Sequence, residues 1–160
     1  MIDCNSLCHK CEVPIRFDNY RGCSHACAYC FVRRTTDISK IEETNCLNEL
    51  RNFINGKRGV ATKWCDWDIP LHWGGISDPF QKLERSKRMS LKCLEVFAET
   101  KYPFIVSTKG IVLADPEYLN LLNQTNGVVQ MSMVSSAYNK IDPGAPPFEE
   151  IGRASCRERV

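Results

Sequence analysis

Short apolar segments alternate with segments of helical periodicity along this chain of 160 residues, and this alternation constrains the fold more than any other feature. Strands are predicted at residues 13–19, 69–73, 104–108 and 128–134. Helices are predicted from Thr36 or Asp37 to Gly56, over about 84–100, and from Pro116 to Leu122 with Asp115 as the N-cap, and another helix opens at Phe148. Repeated strand–helix units are typical of a parallel sheet, so the chain is predicted to be an α/β protein.

Polar or glycine residues directly follow three of the predicted strands. They form a cysteine-rich loop at residues 22–30 and two further segments at residues 74–78 and 108–110. Sites in parallel α/β folds lie at the carboxyl ends of the strands. We therefore expect these three segments to meet in one functional site.

The composition narrows the class of protein. No stretch approaches the ~18 apolar residues needed to cross a membrane, and the first residues lack a basic segment followed by an apolar one. A cytoplasmic protein with no membrane partner is therefore expected. Ten cysteines in such a protein favour metal-binding thiolates over a disulfide scaffold. The net charge of +2 is too small to indicate a dedicated polyanion binder.

Residues 151–160 differ from the rest of the chain in composition and show no apolar period. Their codons can be read as a common sequencing adapter. We therefore expect the natural sequence to stop at Glu150, with residues 1–12 as a cysteine-rich N-terminal segment and residues 13–150 as the core. A genuine basic tail is the alternative. Resequencing the source gene distinguishes the two, because a natural codon run through Val160 contradicts the adapter hypothesis.

Cys23, Cys27 and Cys30 have the spacing C-x3-C-x2-C, with the aromatic Tyr29 before the last cysteine. Three thiolates on one tight loop can hold three irons of a [4Fe–4S] cluster and leave the fourth iron without a protein ligand. Such an open iron can chelate a small molecule through neighbouring nitrogen and oxygen atoms. A zinc knuckle, or cysteines that bind no metal, are the alternatives.

Residues 19–33 resemble the cysteine loop of radical S-adenosylmethionine (SAM) enzymes. They are most similar to the spore photoproduct lyase-like, or DNA repair photolyase-like, family, whose loop reads approximately N-P-Y-x-G-C-x-H-x-C-x-Y-C-Y-A-R. Here the proline after Asn19 is missing and Phe31-Val32 replaces Tyr-Ala. Three further segments are similar to family motifs: residues 77–84 to T-D-P-Y-Q-P-x-E, residues 106–109 to a strand that ends in T-K, and residues 142–146 to E-P-x-A-P. The resemblance covers residues 13–150.

The resemblance implies a radical SAM core, a partial (β/α) TIM-like barrel truncated after about four βα units of the six that are usual in the superfamily. A [4Fe–4S] cluster on the three cysteines would reductively cleave SAM to a 5′-deoxyadenosyl radical that abstracts hydrogen from a substrate. Flavodoxin or ferredoxin is the implied reductant. The substrate is unknown, and a nucleic-acid lesion is implied by family analogy alone. Because a half barrel leaves a sheet edge unpaired, we expect this fragment to be inactive and to fold poorly on its own.

Three side chains acquire roles in SAM binding from the same resemblance. Tyr29 would lie against the adenine, although an aromatic residue before a cysteine can also pack in the core. Lys109 would bind the SAM carboxylate, with Ser132 as a second contact, although a lysine that ends a strand is often just solvated. His25 would either tune the cluster through a hydrogen bond or cap the loop.

Gly74 and Gly75 match the glycine-rich segment that binds the methionine part of SAM. Their physical value is close backbone approach without a Cβ. The acidic residue that usually follows this pair is absent, because Ile76 occupies its position. Ser77 and Asp78 are the candidates to replace it.

Cys4, Cys8 and Cys11 repeat the C-x3-C-x2-C spacing without the aromatic residue. They would bind an auxiliary Fe–S cluster or zinc, or remain free thiols. The fourth ligand would be His9, Cys46 or Cys65. Cys93 lies on the apolar side of a predicted helix and is expected to be a buried small hydrophobe.

The rival function is a non-catalytic zinc or Fe–S binding module that uses both cysteine triads. The chain lacks the basic, aromatic-interleaved segments expected if such a module bound nucleic acid. Anaerobic reconstitution distinguishes the two, because about four irons with sulfide indicate the cluster and colourless protein with zinc indicates the module.

Overall fold

The computed structural model describes residues 1–4, 15–65, 69–134 and 141–157, which form a mixed α/β fold. In chain order the strands are β1 (Ile2–Cys4), β2 (Ile15–Phe17), β3 (Tyr20–Arg21), β4 (Glu42–Glu43), β5 (Leu71–Trp73), β6 (Phe104–Thr108) and β7 (Gly127–Met131). The helices are α1 (Cys46–Ile54), α2 (Glu84–Lys87), α3 (Met89–Thr100), α4 (Pro116–Leu122) and α5 (Phe148–Arg157). Two 3₁₀ helices cover Phe31–Arg34 and Ile111–Ala114.

The main sheet has five strands in the order β1-β2-β5-β6-β7, and β3 pairs with β4 in a separate two-stranded sheet. β2, β5, β6 and β7 are parallel, as predicted. The register places Phe17 beside Trp73 and Trp73 beside Val106. Because parallel neighbours end at the same edge of the sheet, the segments that follow β2, β5 and β6 lie next to one another.

β1 is a strand that the sequence pattern does not predict. It pairs antiparallel with β2, with Ile2 opposite Phe17. The amino group of Met1 also donates a hydrogen bond of 2.5 Å to the Asp18 carbonyl oxygen. Three residues are too few to show an alternation of apolar and polar side chains, so pairing with β2 is what makes this segment a strand.

Helix α1 begins at Cys46, well after the predicted start at Thr36 or Asp37. The Asp37 carboxylate instead accepts a hydrogen bond of 3.1 Å from the backbone N–H two residues later, which closes a turn. The backbone N–H of Cys23 donates to the Ile38 carbonyl oxygen at 2.9 Å, and β4 pairs with β3. These tertiary contacts override the apolar spacing that predicted a longer helix.

The helix predicted over residues 84–100 is divided into α2 and α3. Arg88 between them has a left-handed φ of 55°. The Glu84 carboxylate accepts hydrogen bonds from the backbone N–H groups of Ser90 at 2.9 Å and Leu91 at 3.1 Å. The first residue of α2 therefore caps the start of α3, and the chain must turn between the two helices.

The observed bounds of other helices and strands agree more closely with the predicted ones. β6 and α4 have the predicted bounds, and Asp115 occupies the N-cap position of α4, although its side chain makes no capping hydrogen bond. β5 and β7 match the predicted strands but are shorter.

The core lies between the main sheet and α3. The ring of Trp73 is fully buried, with its centroid 5.5 Å from that of Phe97 and 5.6 Å from that of Phe104. Cys93 is buried in this core, as predicted, and its Sγ lies 3.8 Å from the Sγ of Cys46. These packed rings fix the position of β5 and β6, whose ends carry the candidate site.

Helix α5 opens at Phe148, as predicted, and continues to Arg157. Ile151 and Ala154, three residues apart, are buried where α5 packs against the 3₁₀ helix Ile111–Ala114. The expectation that residues 151–160 lack an apolar period is therefore wrong. The helical packing says nothing about the origin of the codons, so the adapter hypothesis stays a prediction.

The outer edge of the main sheet is formed by β7. In the described part of the sheet β7 pairs with β6 alone, and Val128 on it is 58% exposed. Across the residues with described structure, no helix is long and apolar enough to cross a membrane.

Candidate functional site

The cysteine loop, residues 22–30, begins directly after β3. Gly22 opens it with a φ of 75°, and a Cβ at this position would lie 2.8 Å from the Ile38 carbonyl oxygen, so both the backbone angle and the close approach require glycine. Cys30 closes the loop as the N-cap of the 3₁₀ helix Phe31–Arg34. The thiols of Cys23, Cys27 and Cys30 are free and partly exposed.

Gln81, which is fully buried in the segment after β5, holds the start of the loop. Its Nε2 donates to the Gly22 carbonyl oxygen at 3.1 Å, and its Oε1 accepts from the Ser24 backbone N–H at 2.8 Å. The backbone of the loop is thus paired with a side chain from the end of a neighbouring strand. Buried backbone groups need such partners, so Gln81 fixes the start of the loop.

Residues 141–145, here named the strap, cover the other side of the cysteine loop. The backbone N–H of Ala28 donates to the Ile141 carbonyl oxygen at 2.8 Å. The backbone N–H of Gly144 donates to the His25 carbonyl oxygen at 3.0 Å. A Cβ on Gly144 would collide with the Ser24 carbonyl group, so the strap can approach the loop this closely only through glycine.

His25 anchors the loop to the carboxyl end of β6 through Asp78. Its Nε2 lies 3.0 Å from Asp78 Oδ2, and its Nδ1 lies 3.3 Å from the Gly144 carbonyl oxygen. Burial lowers the pKa of His25, but the Asp78 carboxylate outweighs burial and raises it. Burial raises the pKa of Asp78, but His25 together with the hydrogen bonds from the Lys109 backbone and Thr108 outweighs burial and lowers it. Of the two roles proposed for His25, the structure therefore favours the one that holds the loop.

The predicted site residues Ser77 and Asp78 are committed to protein partners. Ser77 Oγ donates to the Tyr20 carbonyl oxygen at 2.8 Å. Asp78 Oδ1 accepts from Thr108 Oγ1 at 2.6 Å, and Asp78 Oδ2 accepts from the Lys109 backbone N–H at 2.7 Å. Both residues therefore brace the ends of β5 and β6 against the cysteine loop, and no oxygen of Asp78 is left for a ligand.

Other parts of the protein pack closely against the backbone of Gly74 and Gly75. Gly74 has a φ of 91°, and a Cβ there would lie 2.6 Å from the Ser107 carbonyl oxygen. A buried carboxylate shapes the turn that follows, because Asp18 Oδ1 accepts from the backbone N–H groups of Ile76 at 3.0 Å and Ser77 at 3.1 Å. The glycine pair is thus held in a fixed backbone conformation at the end of β5.

Lys109 and the residues around it form the rest of the site. Lys109 is only 7% exposed, so it is not a solvated lysine at the end of a strand. Its Nζ lies 3.1 Å from Asp142 Oδ2, 3.1 Å from the Ser132 carbonyl oxygen and 3.3 Å from Ser132 Oγ. The Tyr29 hydroxyl donates to the same Asp142 oxygen at 3.0 Å. Tyr29 is 51% exposed, so it does not pack in the core.

The environment of the thiols fits a bound cation. Burial raises the pKa of the Cys23 thiol to about 11, and the charge of Asp78 adds to the shift. Burial raises the pKa of the Cys27 thiol to about 12, and a hydrogen bond with Asp142 adds to it. Iron that binds the thiolates would supply the positive charge that these carboxylates favour.

Among the residues that the structure describes, no three His, Cys, Asp or Glu side chains converge closely enough to hold one metal ion. Cys23, Cys27 and Cys30 are free, partly exposed thiols on one loop. A [4Fe–4S] cluster binds each thiolate through a different iron, so three thiols are chemically a suitable donor set for it.

The second cysteine triad falls mainly outside the described residues. Cys4 ends β1, whereas Cys8, His9 and Cys11 lie in residues 5–14, which the structure does not describe. Cys46 and Cys65, the other candidates for a fourth ligand, are both fully buried. An auxiliary metal site stays a prediction.

The structure adds residues that the sequence did not assign to the site. Asp142 joins Lys109 and Tyr29, Asp18 shapes the glycine turn, and Gln81 holds the loop. Asp142 and Gln81 lie within segments similar to family motifs, and this similarity is the sequence feature that could have identified them. Asp18 had none, because a single acid after a strand is indistinguishable from a solvated one in sequence.

The chain is similar in sequence to proteins from mycobacteria. No protein-family model matches the chain. Uncharacterized proteins from Mycobacterium bovis and from two strains of Mycobacterium tuberculosis are each 28% identical over 122 residues, which is 68% of this chain and 34% of the relative. This chain therefore spans about a third of the length of these curated relatives.

Solved structures define the fold. The mixed α/β fold with its parallel sheet is similar to that of structures of spore photoproduct lyase. A tyrosine-to-phenylalanine mutant matches with a TM-score of 0.73 at 18% identity, over 94% of this chain and 43% of that one. A double mutant with bound AdoMet and dinucleoside spore photoproduct matches with a TM-score of 0.71 at 17% identity, over 93% and 43%. The resemblance predicted from the cysteine loop is confirmed at the level of the fold.

Proposed function

We propose that this chain is the cluster- and SAM-binding part of a radical SAM enzyme with a partial (β/α) barrel. Cys23, Cys27 and Cys30 hold a [4Fe–4S] cluster, and the neighbouring residues bind SAM. Held there, a cluster would supply the one-electron reducing chemistry that cleaves the C5′–S bond of SAM into methionine and a 5′-deoxyadenosyl radical, which would take a hydrogen atom from the substrate.

The observation that carries this proposal is the contact between the cysteine loop and the Lys109–Asp142 pair. Asp142 bonds Lys109 and Tyr29, and it lies against the Cys27 thiol. One carboxylate thus joins the thiol proposed to bind iron, the lysine proposed to bind the SAM carboxylate and the ring proposed to face the adenine. The likeness of the fold to structures of spore photoproduct lyase supports the same conclusion.

The residues of the site have different physical tasks. Lys109 is nearly excluded from water, so its charge attracts a ligand carboxylate more strongly than an exposed lysine would. Tyr29 presents an exposed ring face on which a base can stack. Gly74 and Gly75 let the end of β5 pack closely against the Ser107 carbonyl oxygen and the Arg16 side chain, and this fixed backbone is proposed to face the methionine part of SAM. Gln81, His25 and Asp78 hold the loop so that the three thiols keep their positions.

The whole protein's reaction is a further proposal. One neighbour of this fold has a dinucleoside spore photoproduct bound, so a nucleic-acid lesion is the substrate class to test first. Flavodoxin or ferredoxin is the proposed reductant. The chain spans less than half of each protein to which it is similar, so substrate assays belong to the complete protein, and we expect this fragment to be inactive.

Anaerobic reconstitution with iron and sulfide tests the proposal. The expected product contains about four irons per chain, absorbs broadly near about 400 nm, and gives a reduced-cluster EPR signal that changes when SAM is added. Cys27→Ala is expected to lose most of the bound iron. Cys93→Ala is the matched control, because this thiol is buried in the core away from the loop and its loss leaves the cluster ligands intact.

Two results contradict the proposal. One is colourless protein that binds zinc through the same three cysteines, which identifies the binding module instead. The other is a cluster whose EPR spectrum is unchanged by SAM.

A further inference from the structure

We infer that Asp142 is the acceptor for the amino group of SAM, so that Lys109 and Asp142 together hold the two ends of its amino acid. Lys109 donates to the carboxylate, and Asp142 Oδ1 accepts from the amino N–H groups. This inference rests on the proposed function and assigns a residue to a contact for which the family's usual acidic position has only Ile76.

An unused oxygen on a buried carboxylate points to a missing donor. Asp142 Oδ2 is bonded by Lys109 and Tyr29, whereas Oδ1 is buried and has no hydrogen-bond partner in the described part of the chain. The Cys27 thiol lies nearby, but a thiolate bound to iron has no proton to donate. A buried acceptor without a donor costs about 1–3 kcal/mol, which a ligand N–H group would recover.

Two other buried carboxylates lie near the glycine pair and fit this role less well. Asp78 uses both oxygens for protein donors. Asp18 Oδ1 accepts from the backbone N–H groups of the glycine turn, and its Oδ2, which is also buried without a hydrogen-bond partner among the described residues, faces the charge of Arg16, with Nε at 3.8 Å. Asp142 alone among these three is in contact with the side-chain ammonium of Lys109.

The pairing of Lys109 with Asp142 is complementary to an amino acid. An amino group and a carboxylate on one carbon can each bind the opposite member of the pair. The cavity lined by Lys109, Ser132 and Asp142 has room for about one water molecule, so the ligand must enter by separating the two side chains. The hydrogen bond of 3.0 Å from the Tyr29 hydroxyl to Asp142 Oδ2 places this carboxylate beside the cysteine loop.

Equilibrium dialysis of SAM against anaerobic, reconstituted protein tests the assignment. Asp142→Asn keeps the shape of the side chain and removes its charge, and it is expected to weaken SAM binding about 10- to 100-fold. Asp115→Asn is the matched control, because Asp115 lies at the N-cap of α4 away from the loop. Iron content and visible absorption are measured on every sample, so that only proteins with a complete cluster are compared.

A SAM analogue that lacks the amino group separates this contact from a merely structural one. If Asp142 accepts from the amino group, Asp142→Asn binds this analogue as well as the unmodified protein does. Decarboxylated SAM, which keeps the amino group, should still show the loss. Asp142→Glu is the second variant, and partial recovery of SAM binding is expected.

The outcomes are distinguishable from failure of the proposed function. If the protein with a full cluster does not bind SAM at all, the proposed function is wrong and this inference falls with it. If it binds SAM and Asp142→Asn binds equally well, the inference alone is overturned. Equal losses for SAM and for the analogue without an amino group also overturn it, because Asp142 would then act only by positioning Lys109.

Discussion

Asp18 carries an electrostatic cost that can be removed by one substitution. Its side chain is completely buried beneath the glycine turn. Burial raises the pKa of this carboxyl from 3.8 to about 6, although hydrogen bonds from the Ile76 and Ser77 backbone and the charge of Arg16 act against the shift. A carboxyl whose pKa is raised by folding favours the folded state when protonated and disfavours it when ionised.

The sign and size of the effect follow from these two pKa values. Well below pH 3.8 Asp18 is protonated in both states and costs nothing. As the pH rises from 3.8 to about 6 the unfolded chain ionises first, so stability falls. Between pH 4 and pH 7 the loss is about 2.5 kcal/mol, at 1.36 kcal/mol for each unit of pKa difference.

Asp18→Asn should abolish this component. The Asn amide oxygen still accepts from the two backbone N–H groups, and the amide does not ionise. The difference in free energy of unfolding between Asp18→Asn and the parent chain should therefore change by about 2.5 kcal/mol in favour of Asn from pH 4 to pH 7. Its absolute value at one pH is less informative, because the amide nitrogen faces Arg16 Nε and costs some stability of its own.

Urea unfolding, followed by tryptophan fluorescence, measures the difference. Trp73 is buried in the core and reports on folding. Both proteins carry Val128→Lys, so that the open edge of β7 does not promote association. Asp37→Asn is the control, because this residue is exposed and hydrogen bonds from Ser39 lower its pKa, which places its titration outside the window. A difference between Asp18→Asn and its parent that stays constant within about 0.5 kcal/mol would refute the reasoning.

Three further expectations follow from single contacts. Gly144→Ala should displace the strap and speed hydrogen exchange of its amides about tenfold or more. Gly152→Ala is the control, because nothing lies within 4 Å of a Cβ added there. Equal exchange rates in the two variants would contradict the close approach at Gly144. Glu84→Ala should lower the free energy of unfolding by about 4 kcal/mol, because three buried donors and one partly buried donor lose their acceptor. The exposed Glu95→Ala should change it little, and similar urea midpoints for the two variants would contradict this. Val128→Lys should reduce association in analytical ultracentrifugation, and an unchanged sedimentation profile would show that the β7 edge is not the contact.

The elements that could be predicted are those with strong local signals. β6 is a run of apolar residues paired on both sides, and α4 begins with a proline after an N-cap position, so both were found with correct bounds. The helix expected from Thr36 starts later because the backbone of Ile38 bonds to the cysteine loop and β4 pairs with β3, so the first residues are not helical. β1 failed because a three-residue strand exists only through its partner.

The residues of the candidate site also differ in how far the sequence could predict them. The three cysteines and Tyr29 lie within eight consecutive residues, so their spacing is visible in one dimension. Lys109 and Ser132 were named from the family resemblance, and in the structure Lys109 Nζ lies 3.3 Å from Ser132 Oγ. His25 and Asp78 were named, but their mutual contact and their role in holding the loop could not be inferred from residues that far apart in sequence.

What the amino-acid sequence determined alone was the chemistry of the loop and the order of strands and helices, since thiolate spacing and apolar periodicity are local properties. Which carboxylates serve the site was decided by the tertiary structure. Asp18, Asp78 and Asp142 look alike in the chain, and they differ only in what surrounds them: one lies under a glycine turn, one is used up by four donors, and one retains an unused oxygen beside a buried lysine. Burial and partners come from the packing of distant segments, so no local pattern can reveal them.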